Sequence, residues 1–209
     1  MSPEITKNLK ALKTKTAEHI KRGKELVLVC PDGFTTLDLY FFGALNRSAS
    51  LLTAFTVLIE SENFISAAPL LRLELDTSLR LYAAWLVDDP EQLAQKVMSG
   101  GSINIIKDRD GNFLRDEYLA TKLGQDDPRI ESLYKNTSGY IHLSEKHMRN
   151  AMEIAEATGE VTIKISPIDK FVPDRIYKES IEEFVFCAEM VLSLTDGYIQ
   201  SRANDSENA

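Results

Sequence analysis

An all-α bundle of about five main helices, with at most one small hairpin or strand pair, is the fold this 209-residue sequence predicts. Three observations predict it. Residues 64–87, FISAAPLLRLELDTSLRLYAAWLV, are helical in pattern and too apolar to lie on a surface. Residues 37–63, LDLYFFGALNRSASLLTAFTVLIESEN, form a second run of the same kind. Near the C-terminus, Tyr177, Ile181, Phe184, Val185, Ala188, Val191, Leu192 and Thr195 recur at the spacing of one helix face.

Taken in order, residues 4–29 place Ile5, Leu9, Leu12, Ile20, Leu26, Val27 and Val29 at helical spacing opposite a lysine-rich face, with Gly23 a weak point midway. Pro31-Asp32-Gly33 signals a turn. Thr35 with Asp38 forms a capping box that opens the second helix. Asn63 caps the third, which Pro69 is expected to kink or delay. These two long apolar helices predict an antiparallel pair at the bundle centre.

Asp89-Pro90-Glu91 starts a short helix that stops at Ser99-Gly100-Gly101. Residues 102–128 read as a short strand at Ile103–Ile106, a turn at Asp110-Gly111 and a small helix from about Arg115. Pro128 opens another helix, expected to continue to Thr158-Gly159. Val161, Ile163 and Ile165 alternate with Thr162 and Lys164, which predicts a short strand paired with Ile103–Ile106. Residues 1–200 read as one domain and residues 201–209, SRANDSENA, as a disordered tail.

Composition narrows the function classes. Hydrophobic content of 44% and charged content of 27% are ordinary for a globular protein. A formal charge of -8 disfavours a broad nucleic-acid footprint. Cys30 and Cys187 lie in apolar runs and read as core thiols without a disulfide. The N-terminus lacks the apolar segment of a signal peptide, and charges interrupt every candidate membrane span, so a cytoplasmic protein without membrane contact is expected.

The third helix carries four charged residues, Arg72, Glu74, Asp76 and Arg80. At ~100° per residue, Arg72, Asp76 and Arg80 share one stripe, while Glu74 points among Leu70, Leu81 and Trp85. Buried charge persists only when paired, so this set marks either a functional site or a salt-bridge network that sets helix register. A second candidate lies at NTSGYIHLS. There Ser138 and His142 stand at i,i+4 on one face, with Gly139 between them permitting close approach. His142 serves as an acid or base near neutral pH, or else is a half-buried histidine bonded to Ser138.

Leu70-Leu71-Arg72 and the Ser138-to-Ser144 pattern, Ser-x-x-x-His-x-Ser, resemble those of an uncharacterised family of bacterial helical proteins across roughly residues 35–150. The chain is also distantly similar to the HEPN superfamily, many of whose members are metal-independent ribonucleases acting as dimers. That motif is an arginine, usually followed by a polar residue, then a histidine four to six positions on. Lys135-Asn136 and then His142 match its spacing, with lysine in place of arginine. The resemblance implies His142 as general base on a ribose 2′-hydroxyl, with Lys135 or Arg72 stabilising the phosphorane. Lysine is a point charge and lacks the bidentate fork that arginine offers a phosphate.

No cofactor or metal is implied. His142 and His147 are five apart, about 140° around a helix, and His19 stands isolated among lysines. Asp108, Asp110, Gly111 and Glu117 fall at EF-hand positions, but Ile106 occupies the first ligand place. Walker, GxGxxG, GxSxG and CxxC patterns are absent.

Three functions remain. One is a binding or interaction module with a polar site in the bundle core, engaging a small ligand or a protein partner; Ser138, Ser144, Glu74, Asp76 and Arg80 are its candidate residues. The second is a HEPN-like ribonuclease using His142, Lys135, Asn136 and Arg72, with RNA as substrate. The third is a purely structural oligomer. A homodimer is expected, because helices this apolar are hard to cover within one chain.

Overall fold

The computed structural model describes residues 3–163, 165–169 and 171–207. Four long helices form the bundle: α1 (Pro3–Leu28), α2 (Thr36–Glu60), α3 (Phe64–Leu86) and, closing the chain, α8 (Asp174–Glu207). Shorter helices cover one side: α4 (Pro90–Met98), α5 (Asp116–Leu123), α6 (Arg129–Ile141) and α7 (Glu145–Asn150). Strands β1 (Met152–Ile154) and β2 (Val161–Ile163) make the small hairpin. The all-α bundle is therefore the observed fold.

Local chemistry sets the helix starts. Thr35 accepts from the Asp38 amide at 3.2 Å, and Asp38 accepts from the Thr35 amide at 2.7 Å, completing the capping box of α2. Asn63 Oδ1 accepts from the Ser66 amide at 3.1 Å and starts α3 at Phe64. Pro69 sits in the second turn and does not delay that start. Asp169 supplies a further acceptor there, taking the Ile65 amide at 2.8 Å. The short connection Ser61–Asn63 makes α2 and α3 an antiparallel pair, and α1 and α8 pack against them.

Other expectations change at tertiary level. The helix opened by Pro128 ends at Ile141 rather than near Thr158, and α7 and the hairpin occupy the remainder. Ser144 caps α7 while donating to the Gly139 carbonyl at 2.6 Å, which ties the break together. Strand β2 pairs with β1, its sequence neighbour, and not with Ile103–Ile106, where residues Ile103–Ile105 form a 3₁₀ turn. On α1, Ile20 and Val27 face solvent, and His19 takes the inward place. Helix α8 runs on through Glu207, across most of the segment read as a tail. By length and composition, α2 is apolar enough to cross a membrane, unlike the sequence expectation; in the fold it packs against α1, α3, α4 and α8.

The core has two apolar parts. One contains Leu12, Leu52, Leu71, Leu75 and Phe184, with Phe55 stacked on Phe184 at 4.2 Å between ring centres. The other contains Leu26, Leu45, Leu81 and Val191, with Phe41 stacked on Tyr198 at 4.0 Å. This second part is closed by a buried carboxylate. Asp38 accepts from Tyr198 Oη at 2.6 Å, Arg202 Nε at 3.0 Å and Thr35 Oγ1 at 2.9 Å, joining the start of α2 to the end of α8. Burial pushes the Asp38 carboxyl up, and these donors outweigh it and hold it below its usual range. Replacing Asp38 with Ala strips the buried Tyr198 hydroxyl and the Arg202 guanidinium of this acceptor. Such a loss is expected to destabilise the fold by about 3 kcal/mol, measured by equilibrium denaturation.

Candidate functional site

The charged stripe of α3 separates into two uses. Asp76 accepts from Arg80 Nε at 3.2 Å, one turn on, and from Arg47 Nη1 of α2 at 3.1 Å. Arg80 also donates to Asn104 Oδ1 at 3.0 Å and pairs with Asp116. Arg72, one turn earlier, belongs to a different contact. It donates to the Tyr134 carbonyl at 3.0 Å and to Ser138 Oγ at 3.3 Å, and its guanidinium lies 3.8 Å from the Tyr134 ring centre. Arg72 thus clamps α6 onto α3.

Arg47, Asp76 and Arg80 line a cleft of about 540 Å³ between α2, α3, α4 and the 3₁₀ turn. Leu39, Ala94, Val97, Met98 and Ile103 supply its apolar surface. Tyr40 stands at its wall, with Oη donating to the Arg80 carbonyl at 2.9 Å. Burial raises the Tyr40 phenol well above its ordinary range, so it stays protonated and neutral. Two guanidiniums and one carboxylate line the cleft, and Asp116, paired with Arg80 from α5, balances the second guanidinium. Among the described residues Arg47 makes one hydrogen bond, to Asp76, although a guanidinium carries five N–H donors. Its side chain is 41% exposed, so the remaining donors are accessible.

Glu74 points the other way, into the core, where it is fully buried. Its partner is Ser48 Oγ of α2, which lies 2.8 Å from His19 Nε2 of α1. His19 Nδ1 in turn lies 2.8 Å from the Lys15 carbonyl. The other Glu74 oxygen, Oε2, is buried and has no hydrogen-bond partner among the described residues. Burial lifts the Glu74 carboxyl to about 7 and pushes the His19 imidazole below its usual range.

The residues on α6 do not converge on one another. His142 follows the last helical residue with extended backbone, so the i,i+4 relation to Ser138 is lost, and its side chain is exposed. Ser138 donates to the Tyr134 carbonyl at 2.9 Å, and Lys135 pairs with Glu131 at 2.7 Å. Asn136 offers its carbonyl to Lys146 at 2.6 Å and its amide nitrogen to Ser132 at 3.5 Å. A side chain at Gly139 would meet Lys146 at 3.3 Å, so this glycine makes room for the α7 segment.

His19, Ser48, Arg47 and Asp116 are among the contributors that escaped the sequence reading. A signal existed for two of them. His19 lies seven residues from both Leu12 and Leu26, and Ser48 continues the stripe of Phe41, Leu45, Leu52 and Phe55. Each is a polar residue in an apolar repeat, which places it inside.

No known protein family matches the chain, and neither a curated protein nor a solved structure does. For Arg72, removal of the guanidinium in Arg72→Ala is expected to destabilise the fold by about 1–2 kcal/mol. Amide exchange should accelerate along α6 in that variant; unchanged exchange there would count against the clamp.

Proposed function

We propose that the protein is a binding module whose cleft between α2, α3 and α4 takes a small molecule with an apolar body and one anionic group. The observation that carries this reading is Arg47 at the rim of an otherwise largely apolar cleft, held by a single bond to Asp76 with its other donors accessible. A planar guanidinium in that position suits a carboxylate or phosphate through paired hydrogen bonds. Leu39, Val97 and Met98 offer the apolar surface that ligand pockets use for affinity, and the volume falls in their ordinary range.

Of the candidate residues on α3, Asp76 and Arg80 bear on this cleft, and Glu74 does not, because it is sealed in the core. Arg80, bound on three sides, serves as a fixed wall charge. Arg47 is the group free to reorient. The ribonuclease reading gains no comparable support, since Arg72 holds α6 and Lys135 holds Glu131.

Decanoate and decanol, titrated calorimetrically, test the reading because they share a tail and differ in charge. Decanoate is expected to bind the wild type at least about tenfold more tightly than decanol, and Arg47→Ala should remove that preference. Equal binding of the two probes, binding of neither, or an undiminished preference in the variant would count against the cleft as an anion-selective site.

A further inference from the structure

The hydrogen-bonding capacity of the core chain constrains where its protons sit. A backbone carbonyl only accepts, so His19 Nδ1, 2.8 Å from the Lys15 carbonyl, carries a hydrogen. A neutral imidazole with Nδ1–H has an acceptor at Nε2, and the Ser48 hydroxyl is the donor within reach, at 2.8 Å. That hydroxyl has one hydrogen. Once it points to His19, nothing is left to donate toward Glu74 Oε1, yet Ser48 and Glu74 stand in hydrogen-bond contact. The missing hydrogen belongs on Glu74.

Burial leads to the same conclusion independently. Among the described residues, Glu74 Oε2 has no partner and no arginine or lysine bonds to this carboxyl. A neutral carbonyl-type oxygen tolerates that isolation far better than half of an ionised carboxylate does. The alternative with charge, imidazolium donating to Ser48 and Ser48 donating to carboxylate, satisfies the same contacts. It separates two charges across a core layer between apolar clusters, which burial of both groups opposes.

We propose that His19, Ser48 and Glu74 together hold one proton in the core at mildly acidic pH, resident on Glu74 as a carboxylic acid, so that all three side chains are uncharged. Glu74 donates to Ser48, Ser48 to His19, and His19 to the Lys15 carbonyl. Ionisation of Glu74 releases that proton to solvent, turns the Ser48 hydroxyl toward the carboxylate and leaves His19 Nε2 without a donor. The tie between α1 and α2 is what this loss breaks.

The charged and titratable groups facing the chain are Lys15 and Glu18 from α1, Arg47 from α2 and Cys187 from α8. Lys15 is paired with Glu18 and Glu189, and Arg47 with Asp76. Burial keeps the Cys187 thiol protonated. None of them bonds to Glu74 and neutralises it directly.

The proton also alters the balance between folded and unfolded chains. Glu74 ionises at 4.5 in an ordinary environment and at about 7 in the fold. Its protonated form is thus favoured by folding, a contribution complete below 4.5 and lost as pH rises toward about 7. His19, held neutral, acts oppositely: its contribution is complete above 6.5 and lost as pH falls. The two contributions change in opposite senses with pH and offset one another in the wild type.

Glu74→Gln separates the two slopes, because its amide donates to Ser48 as the acid does but does not titrate. The folding constant of wild type relative to Glu74→Gln, from denaturant titrations, is expected to fall about tenfold per pH unit between 4.5 and about 7. A ratio that does not change with pH overturns the proposal. Wild type alone supplies a second measurement that holds even where the variant fails to fold. The ¹⁵N shifts of its His19 ring, assigned by removing His142 and His147 in turn, should report a neutral Nδ1–H imidazole at about pH 6. At the same pH, infrared spectra should show a protonated carboxyl band. An imidazolium at His19, or no such band in wild type, overturns the proposal.

Discussion

Helix α3 packs against α2, α4, α5, α6 and α8 at once, yet it carries four charged side chains within nine positions. That conflict between enclosure and charge governs the rest of the molecule, because three of those neighbours, α2, α5 and α6, supply partners for these groups. Helix α2 brings Arg47 to Asp76 and Ser48 to Glu74. Helix α5 brings Asp116 to Arg80, and α6 brings the Tyr134 carbonyl and Ser138 to Arg72. The burial of apolar area provides most of the driving force for folding and is non-directional. The polar partners set register, since each contact holds at one axial position of its helix and at no other.

The same two helices serve both the core chain and the cleft. Arg47 and Ser48 are consecutive on α2, and a step of ~100° sends one to the cleft and the next to the core. On α3, Glu74 and Asp76 are separated by two steps, with the same result. An acidic side chain beside accessible guanidinium donors and one sealed away from water have opposite chemistries. Asp76 is ion-paired at a wet rim, whereas Glu74 is driven toward its neutral form by the medium around it.

The region from Ile141 to Ile168 is built on different terms. Leu143, Ile154, Val161, Ile163 and Ile165 are exposed, and β1 of the hairpin packs against the short helix α7. A two-stranded hairpin gains little from its own ladder. Local ties therefore matter more here, with Ser144 on the Gly139 carbonyl, Lys146 on the Asn136 carbonyl and Asp169 on the Ile65 amide joining the segment to α6 and α3.

Much of the architecture was legible because its signals are local. The Thr35–Asp38 box, the Asn63 cap, Pro90 at the head of α4 and the apolar period of α8 each act within a turn or two of chain. Arg72, Asp76 and Arg80 were legible as a set that demands partners, and so was the inward direction of Glu74. The identity of those partners was not, since Arg47 and Asp116 lie 29 and 36 residues from the groups they pair with. The end of α6 before His142 also escaped, because helical periodicity continues through it while Ser144, Gly139 and Lys146 favour a turn. By itself the amino-acid order determined which residues form helices and which faces those helices bury, through backbone capping and hydrophobic period. Tertiary structure alone decided which buried polar groups meet, and hence that a histidine among lysines and a serine among leucines enclose a carboxyl. The reason is physical: hydrogen bonds act over about 3 Å, and only packing brings residues from α1, α2 and α3 that close.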